Sequence, residues 1–418
     1  MGRHRRIFGP EAFLLAVAIL AAPGIAADIP KVDLPAKIAA SSRPFAYDAD
    51  GGLSGPGGAF IESATANSQF VLLGEDHYLR ETPRFAAALY RMLHARHGFR
   101  HLVVEQDRYA MEDVLAPERR GDAKEIGKWV RRYPGSFEFG SDQDIGLLAL
   151  AGKLDRGAMA ICGIEQAVGA PRYLEDLARM APRSEVRNEV EALHALALKL
   201  DSEPTYSVNF LIAPGTLERL ERLRSIYGAQ PGSRADEMLL GLIRSAEIFG
   251  YYRRAEAGEP VGLFNNTVRE DWFKRLFMRC YRHMAGDGAL PKAMFKFGSN
   301  HMFRGKNPTQ AFPIGNFAHE FATANGREAY GLLIVPLIGT GYGDIPAELR
   351  VMLPAEVPLV PTVVDLRALR PLQRWLRASL KEVESTAFRE IVNGYDAIVL
   401  LPGEGPATMM LSGLRSIG

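Results

Sequence analysis

Short apolar runs that alternate with amphipathic helical segments constrain the fold of this chain more than any other feature. The six runs are FVLL (70–73), HLVVE (101–105), MAICGIE (159–165), AMFKFG (293–298), YGLLIVPLI (330–338) and DAIVLL (396–401). Strands that are buried on both faces have continuous apolar runs of this kind, and their alternation with helices is typical of parallel sheets. The sequence therefore predicts an α/β fold with a largely parallel central sheet flanked by helices.

The stretch between Ile164 and Ala293 is too long for a single crossover between two strands. It contains amphipathic segments at 187–200, 216–228, 235–258 and 267–286. The spacing predicts an α-helical insertion at about 175–264 over the carboxyl edge of the sheet. A length of 418 residues allows one large domain with an insertion, or two domains. We expect one α/β domain over 69–418.

The first residues have the pattern of an export signal. Arg3, Arg5 and Arg6 precede the apolar stretch AFLLAVAILAA (12–22), and small residues follow as far as Ala27. This pattern predicts a signal peptide over 1–27 and a periplasmic or secreted protein. The apolar stretch is shorter than the roughly 20 residues that span a bilayer, so no stable membrane span is expected after cleavage.

The segment that follows, 28–68, is rich in Pro, Gly, Ser and Ala, with GGLSGPGG at 51–58. Its composition predicts a loop-rich lead-in to the α/β domain. Two cysteines are present, Cys162 in an apolar run and Cys280 in a predicted helix. Export permits a disulfide, but these positions favour two separate buried thiols.

The charge composition limits the kinds of partner that we expect this protein to bind. Lys and Arg number 50 against 49 Asp and Glu, which gives a formal net charge of +1. Nucleic-acid-binding proteins carry a clear excess of positive charge, so no nucleic-acid partner is expected. The expected partner is a small-molecule substrate.

Polar side chains follow four of the predicted strands at the point where each strand ends. They are Glu75, Asp76 and His77; Glu105, Gln106 and Asp107; Glu165 and Gln166; and Ser299, Asn300 and His301. Because the carboxyl ends of parallel strands meet at one edge, where α/β proteins place ligands, these residues predict a functional site. Arg269, in the first turn of the helix before the fourth strand, would reach over the same edge.

This combination of imidazoles, carboxylates and a guanidinium is suited to hydrolysis. A histidine beside carboxylates can activate water as a general base, and Glu75 or Glu105 would orient it. Arg269 or His301 would stabilise the developing oxyanion, worth roughly 3 kcal/mol per donor. The candidate catalytic residues are Glu75, His77, Glu105, Arg269 and His301. The candidate substrate-binding residues are Tyr78, Glu165 and Asn300.

Two G-x-x-H motifs, GEDH (74–77) and GSNH (298–301), flank Glu105 and Arg269 in the sequence. This set resembles the superfamily that joins erythromycin esterase-like proteins, Tiki (TraB)-type proteins and ChaN-like haem-uptake proteins. In layout the chain is most similar to the erythromycin esterase branch, through VVEQD (103–107), VREDWF (268–273) and KFGSNHMFRG (296–305). That resemblance implies attack of water on an ester or lactone without a covalent enzyme intermediate.

The other branches of the superfamily imply two alternatives at the same site. The resemblance to Tiki proteins implies a peptidase or hydrolase that depends on a divalent metal, Zn or Mn. His77, His301, Glu75 and Glu105 would then be its ligands, with an open position for water. The resemblance to ChaN implies a non-enzymatic protein that binds haem or another small ligand, with Tyr78 beside His77 as an axial ligand.

Overall fold

The computed structural model of the protein describes residues 32–48, 51–137, 141–202, 208–285, 290–338, 342–343, 345–376 and 379–408. The predicted signal peptide, 1–27, lies outside the described residues. None of the helices within these ranges combines the length and the apolar character needed to cross a bilayer.

The strands of the described residues are β1 (Ser42–Pro44), β2 (Ala46–Asp48), β3 (Gly52–Ser54), β4 (Ser68–Glu75), β5 (His101–Asp107), β6 (Ile161–Glu165), β7 (Ala293–Gly298), β8 (Glu328–Ile338), β9 (Thr362–Asp365) and β10 (Ala397–Glu404). The α-helices are α1 (Leu34–Ser41), α2 (Gly55–Thr65), α3 (Glu81–His97), α4 (Arg108–Val114), α5 (Ala123–Arg132), α6 (Asp142–Leu154), α7 (Ala170–Arg179), α8 (Ser184–Asp201), α9 (Asn209–Ile212), α10 (Thr216–Tyr227), α11 (Arg234–Glu256), α12 (Asn265–Met284), α13 (Ser299–Met302), α14 (Ile314–Ala324), α15 (Ala347–Arg350), α16 (Gln373–Leu376) and α17 (Glu382–Gly394). Short 3-10 helices span Pro134–Ser136 and Arg370–Leu372.

The central sheet has eight strands in the order β1-β9-β10-β8-β4-β7-β5-β6. Every pair from β10 to β6 is parallel, whereas β9 is antiparallel to both β10 and β1. The predicted apolar runs are the six parallel strands, so the predicted α/β fold is confirmed. β2 and β3 form a separate two-stranded ribbon.

Alternate side chains of β4 enter the two halves of the core. Val71 and Leu73 pack in a layer with residues of α3 and α6, while Phe70 and Leu72 pack in a layer with residues of α12 and α14. All four side chains are fully buried. Because both faces of the sheet are covered by helices, β4 lacks the apolar–polar alternation of a half-exposed strand.

The insertion between β6 and α12 consists of α7 to α11 and has an apolar core of its own, with Leu174, Val190, Leu220 and Leu239 among its buried residues. Tyr109, in α4 directly after β5, belongs to the same core. Since α4 and α7 both start just beyond the carboxyl ends of their strands, the insertion packs at that edge of the sheet.

The segment 28–68 is more regular than its composition predicts. Its described part contains α1, α2 and the strands β1 to β3, so the expectation of a loop-rich lead-in is wrong there. Pro56 occupies the first turn of α2, where its missing N–H costs nothing. A side chain at Gly57 would lie 2.7 Å from the carbonyl oxygen of Arg43. This glycine therefore serves close packing rather than chain flexibility.

Cys162 and Cys280 form a disulfide, with their Cα atoms 6.4 Å apart. The expectation of two separate thiols is therefore wrong. Cys162 lies in β6 and Cys280 lies in α12, and this helix packs directly against that strand. The proximity depends on tertiary packing between elements 118 residues apart in sequence, which composition and local pattern do not show.

Candidate functional site

The polar residues at the carboxyl ends of four neighbouring strands, β4, β7, β5 and β6, lie close together. Glu75 pairs with Gly298 across β4 and β7, and Asp107 pairs with Glu165 across β5 and β6. The glycines of the two G-x-x-H motifs make this approach sterically feasible. A Cβ atom on Gly298 would lie 2.8 Å from His77 Nε2, and one on Gly74 would lie 2.5 Å from the hydroxyl of Tyr395.

His77 lies between two carboxylates. Its Nδ1 is 3.3 Å from Glu75 Oε1, and its Nε2 is 3.6 Å from Glu105 Oε2. Burial lowers the pKa of His77, but Glu105 and Glu75 outweigh burial, so the pKa is raised above its ordinary value. The side chain of His77 is 22% exposed, whereas those of Glu75 and Glu105 are each 4% exposed. Solvent therefore reaches the imidazole more readily than the two carboxylates.

Glu105 is the centre of the site. One oxygen, Oε2, accepts a hydrogen bond of 2.7 Å from the backbone N–H of Gly298. The other, Oε1, lies 3.0 Å from Arg269 Nη2 and 3.2 Å from His301 Nε2. Burial raises the pKa of Glu105, but His301, His77 and Arg269 together hold it well below its ordinary value. Glu105 is therefore an ionised carboxylate among three cationic or ionisable groups.

Arg269 projects from α12 and binds a second carboxylate, Glu165. Its Nη2 and Nε both donate to Glu165, the latter over 3.2 Å, and its guanidinium lies 5.1 Å from the ring centre of Phe273. The backbone N–H of Gln166 also donates to Glu165, over 2.8 Å. Glu165, predicted as a substrate-binding residue, is thus paired with Arg269 in the structure.

His301 is held more tightly than His77. Its Nδ1 lies 2.5 Å from Glu270 Oε1, and Glu270 Oε2 accepts a 2.7 Å hydrogen bond from the first N–H of α14, that of Ile314. Burial and the nearby guanidinium of Arg269, whose Nη1 lies 3.1 Å from His301 Nε2, oppose protonation, but Glu105 and Glu270 raise the pKa of His301 to about 10. At neutral pH His301 is therefore an imidazolium.

Lys296, Asp144 and Glu270 belong to the site although sequence reasoning did not select them. Lys296 Nζ lies 2.6 Å from Glu75 Oε1 and 2.8 Å from Asp144 Oδ1. Burial lowers the pKa of Lys296, but Asp144 and Glu75 raise it above its ordinary value, so the group is an ammonium. One signal was visible in the sequence: a single charged residue inside the apolar run AMFKFG.

Several residues at the same edge are not part of the charged cluster. Asp107 accepts from the N–H of Ala110, at the start of α4, and from the hydroxyl of Tyr173, so its carboxylate is structural. Tyr78, which follows His77, and Asn300, which precedes His301, are predicted from the sequence to bind substrate. Both have exposed side chains. Tyr78 has a φ of 63° and its carbonyl accepts from Ala407, which fixes the turn after His77.

A small cavity lies behind His77. The charged groups that line it are Glu75, His77, Glu105, Asp144 and Lys296, with apolar walls from Val104, Phe137, Leu147 and Leu148. It has room for about one water molecule. The polar lining would offer such a water several hydrogen-bond partners.

The donor set does not fit a divalent cation in this arrangement. Among the residues that the structure describes, no group of three or more His, Cys, Asp or Glu side chains has the geometry to hold a metal ion. The carboxylates proposed as ligands, Glu75 and Glu105, are already paired with Lys296 and Arg269. A metal bound by these carboxylates would therefore compete with the two cations.

Comparisons with solved structures identify known proteins that share this fold. No protein-family model matches the sequence, and no curated protein matches it. Among solved structures, a mutant of the erythromycin esterase EreC in its open conformation has a TM-score of 0.54 at 14% identity, over 84% of this chain and 95% of that one. A protein from Bacillus cereus has a TM-score of 0.56 at 10% identity, over 90% of this chain and 98% of that one. A succinoglycan biosynthesis protein has a TM-score of 0.54 at 14% identity, over 90% of this chain and 98% of that one.

The chain thus shares its fold with erythromycin esterase EreC, and the resemblance drawn from the two G-x-x-H motifs is confirmed at the level of the fold.

Proposed function

We propose that this protein is a hydrolase in which His77 activates a water molecule for attack on an ester or lactone carbonyl. The observation that carries the proposal is the position of His77 between Glu75 and Glu105, partly exposed, with Arg269 and His301 in contact with the other oxygen of Glu105. This arrangement contains a base, groups that orient it and fixed cations, which together are the parts that hydrolysis by activated water requires.

The two histidines take different roles. His301, with a pKa raised to about 10, is protonated at neutral pH and cannot accept a proton from water. His77, when neutral, donates from Nδ1 to Glu75 and presents the lone pair of Nε2 to water. The imidazolium formed by proton transfer is stabilised by Glu105, and Arg269 with His301 stabilises the negative charge that develops on the carbonyl oxygen.

The substrate class is taken from the fold and the motifs. The structural neighbour EreC is named an erythromycin esterase, which supports an ester or lactone as the substrate. We also propose that the protein acts outside the cytoplasm. The predicted signal peptide supports this location, and disulfides such as Cys162–Cys280 persist in oxidising compartments.

The substitution His77→Asn tests the assignment of the base. Hydrolysis of a panel of small esters and lactones is measured with the purified mature protein, and kcat is expected to fall by about 10²–10⁴-fold because the general base is lost. The matched control is His283→Asn, since His283 is an exposed histidine near the end of α12 whose Nδ1 lies 2.8 Å from the backbone carbonyl oxygen of Arg279. Full activity in His77→Asn would contradict the proposal.

Chelator treatment separates this mechanism from one that depends on a metal. Hydrolysis is expected to persist in EDTA at the untreated rate, because the proposed site needs only side chains and water. Loss of activity in EDTA that returns with added Zn²⁺ or Mn²⁺ would favour the metal-dependent alternative.

A further inference from the structure

Lys296 is the one basic residue of β7, and its neighbours Phe295 and Phe297 are fully buried apolar side chains. Its own side chain is 8% exposed. Burying an ammonium removes it from water at a cost that only close pairing with opposite charge offsets, and an apolar side chain at such a position is often as stable or more so. The core alone therefore does not account for a lysine here.

The two carboxylates that pair with Lys296 come from different elements. Glu75, at the end of β4, is the carboxylate that also contacts His77 Nδ1. Asp144 comes from the first turn of α6. Ser141 fixes Asp144, because its hydroxyl donates to Oδ2 over 2.5 Å and accepts from the N–H of Asp144 over 3.0 Å. A chain of contacts thus runs from the start of α6 to His77.

Glu75 Oε1 is shared between the lysine and the histidine. It lies 2.6 Å from Lys296 Nζ and 3.3 Å from His77 Nδ1. An ammonium at this distance fixes the direction of the carboxylate and favours its ionised form. An ionised Glu75 in turn keeps the proton of neutral His77 on Nδ1, which leaves Nε2 as the atom that can accept a proton.

We propose that Lys296, supported by Asp144, is a positioning residue that directs the ionised Glu75 carboxylate at His77 and partly offsets its charge, and so sets the tautomer and basicity of that imidazole. The consequence for catalysis rests on the proposed function, but the consequence for His77 itself does not. Lys296 contacts no substrate in this scheme and acts through Glu75.

The charged groups around His77 fix the direction of the expected changes. Glu75 and Asp76 act on His77 from its own segment, Glu105 from β5 and Lys296 from β7. Arg269 and His301 contact Glu105, and Asp144 contacts Lys296. In Lys296→Met the His77 imidazolium, which contacts Glu75 directly, still favours the ionised form of that carboxylate. Loss of the Lys296 cation then leaves the carboxylates around His77 less compensated, so His77 binds its proton more tightly. Loss of the Asp144 carboxylate has the opposite sign, because the ammonium is then less neutralised.

The test compares Lys296→Met, Asp144→Asn and the double variant with the unsubstituted protein. The Cε1–H resonance of His77, identified as the signal absent from His77→Asn, is titrated by NMR. Lys296→Met is expected to raise the pKa of His77 by on the order of one unit. Asp144→Asn is expected to lower it, and the double variant, which restores the charge balance, is expected to return it toward the original value.

Kinetics supply a second measurement. In Lys296→Met and in the double variant, kcat is expected to fall by roughly 100-fold with little change in KM, because the base is misdirected while substrate binding is untouched. Asp144→Asn keeps the contact between Lys296 and Glu75, so its kcat is expected to fall less.

The outcomes separate this inference from the proposed function. An unchanged pKa of His77 in folded Lys296→Met overturns the inference, even if the protein hydrolyses esters. If Lys296→Met does not fold, Asp144→Asn decides: a lowered pKa supports the inference, and an unchanged or raised one overturns it. Shifts of the expected sign in a protein that hydrolyses no ester leave the inference standing and remove the proposed function.

Discussion

His77 and His301 are the same residue type in the same site, yet their surroundings prepare them for different tasks. His301 contacts two buried carboxylates at 3.2 Å and 2.5 Å, and these outweigh the opposing charge of Arg269. The closer carboxylate of His77 is 3.3 Å away, and Lys296 opposes its protonation. His301 therefore keeps its proton up to about pH 10, whereas His77, which its carboxylates hold less closely, is the histidine left to accept a proton. Only the second behaviour suits a general base.

This difference predicts a bell-shaped dependence of kcat/KM on pH. Activity rises as His77 loses its proton, with the acid limb above the ordinary histidine value of 6.5 because the pKa of His77 is raised. Activity falls again at about pH 10, where His301 loses the charge that stabilises the oxyanion. Steady-state kinetics across this range check both limbs.

Glu270→Gln provides the matched variant for the alkaline limb. Glu270 raises the pKa of His301, so its neutralisation should move the alkaline limb to lower pH and leave the acid limb in place. An alkaline limb that does not move in this variant would show that another group controls it.

At the scale of the element, the ends of β4 and β7 depend on glycine for their close approach. Gly298→Ala would place a methyl group 2.8 Å from His77 Nε2, so His77 would have to turn away from Glu105. We expect kcat to fall by roughly 100-fold while the protein still folds, since the displaced side chain is partly exposed. Activity assays with circular dichroism measure both effects.

Gly146→Ala is the control for that substitution. Gly146 is an exposed residue of α6, and an added methyl group there would meet nothing within 4 Å beyond its own helix. Alanine at this position should therefore raise stability by about 0.5–1 kcal/mol and leave kcat unchanged. Equal effects of the two substitutions on kcat would contradict the steric argument.

The sequence was informative about elements and less so about contacts between them. The parallel strands could be predicted because each is a continuous apolar run, and Glu75, Glu105 and His301 because they follow such runs. β9 has only four residues and lies near the sheet edge, so its pattern is too short to detect. Lys296 and Asp144 meet only after α6 packs on the sheet, and no local pattern predicts that contact.

At the scale of the whole molecule, the Cys162–Cys280 disulfide joins the strand that carries Glu165 to the helix that carries Arg269. Replacement of both cysteines by alanine is expected to lower the free energy of unfolding by about 2–4 kcal/mol. Denaturant titration of the double variant against the oxidised protein measures the change, and equal midpoints would show that the packing of α12 on β6 suffices without the bond.

The same disulfide closes a covalent ring. Cys162 precedes α7 and Cys280 follows α11, so the entire insertion lies within the ring. A single peptide-bond cut in the insertion would therefore leave one covalently joined molecule, with Glu75, Glu105 and Glu165 on one fragment and Arg269 and His301 on the other. The insertion can thus be nicked without releasing one half of the site from the other.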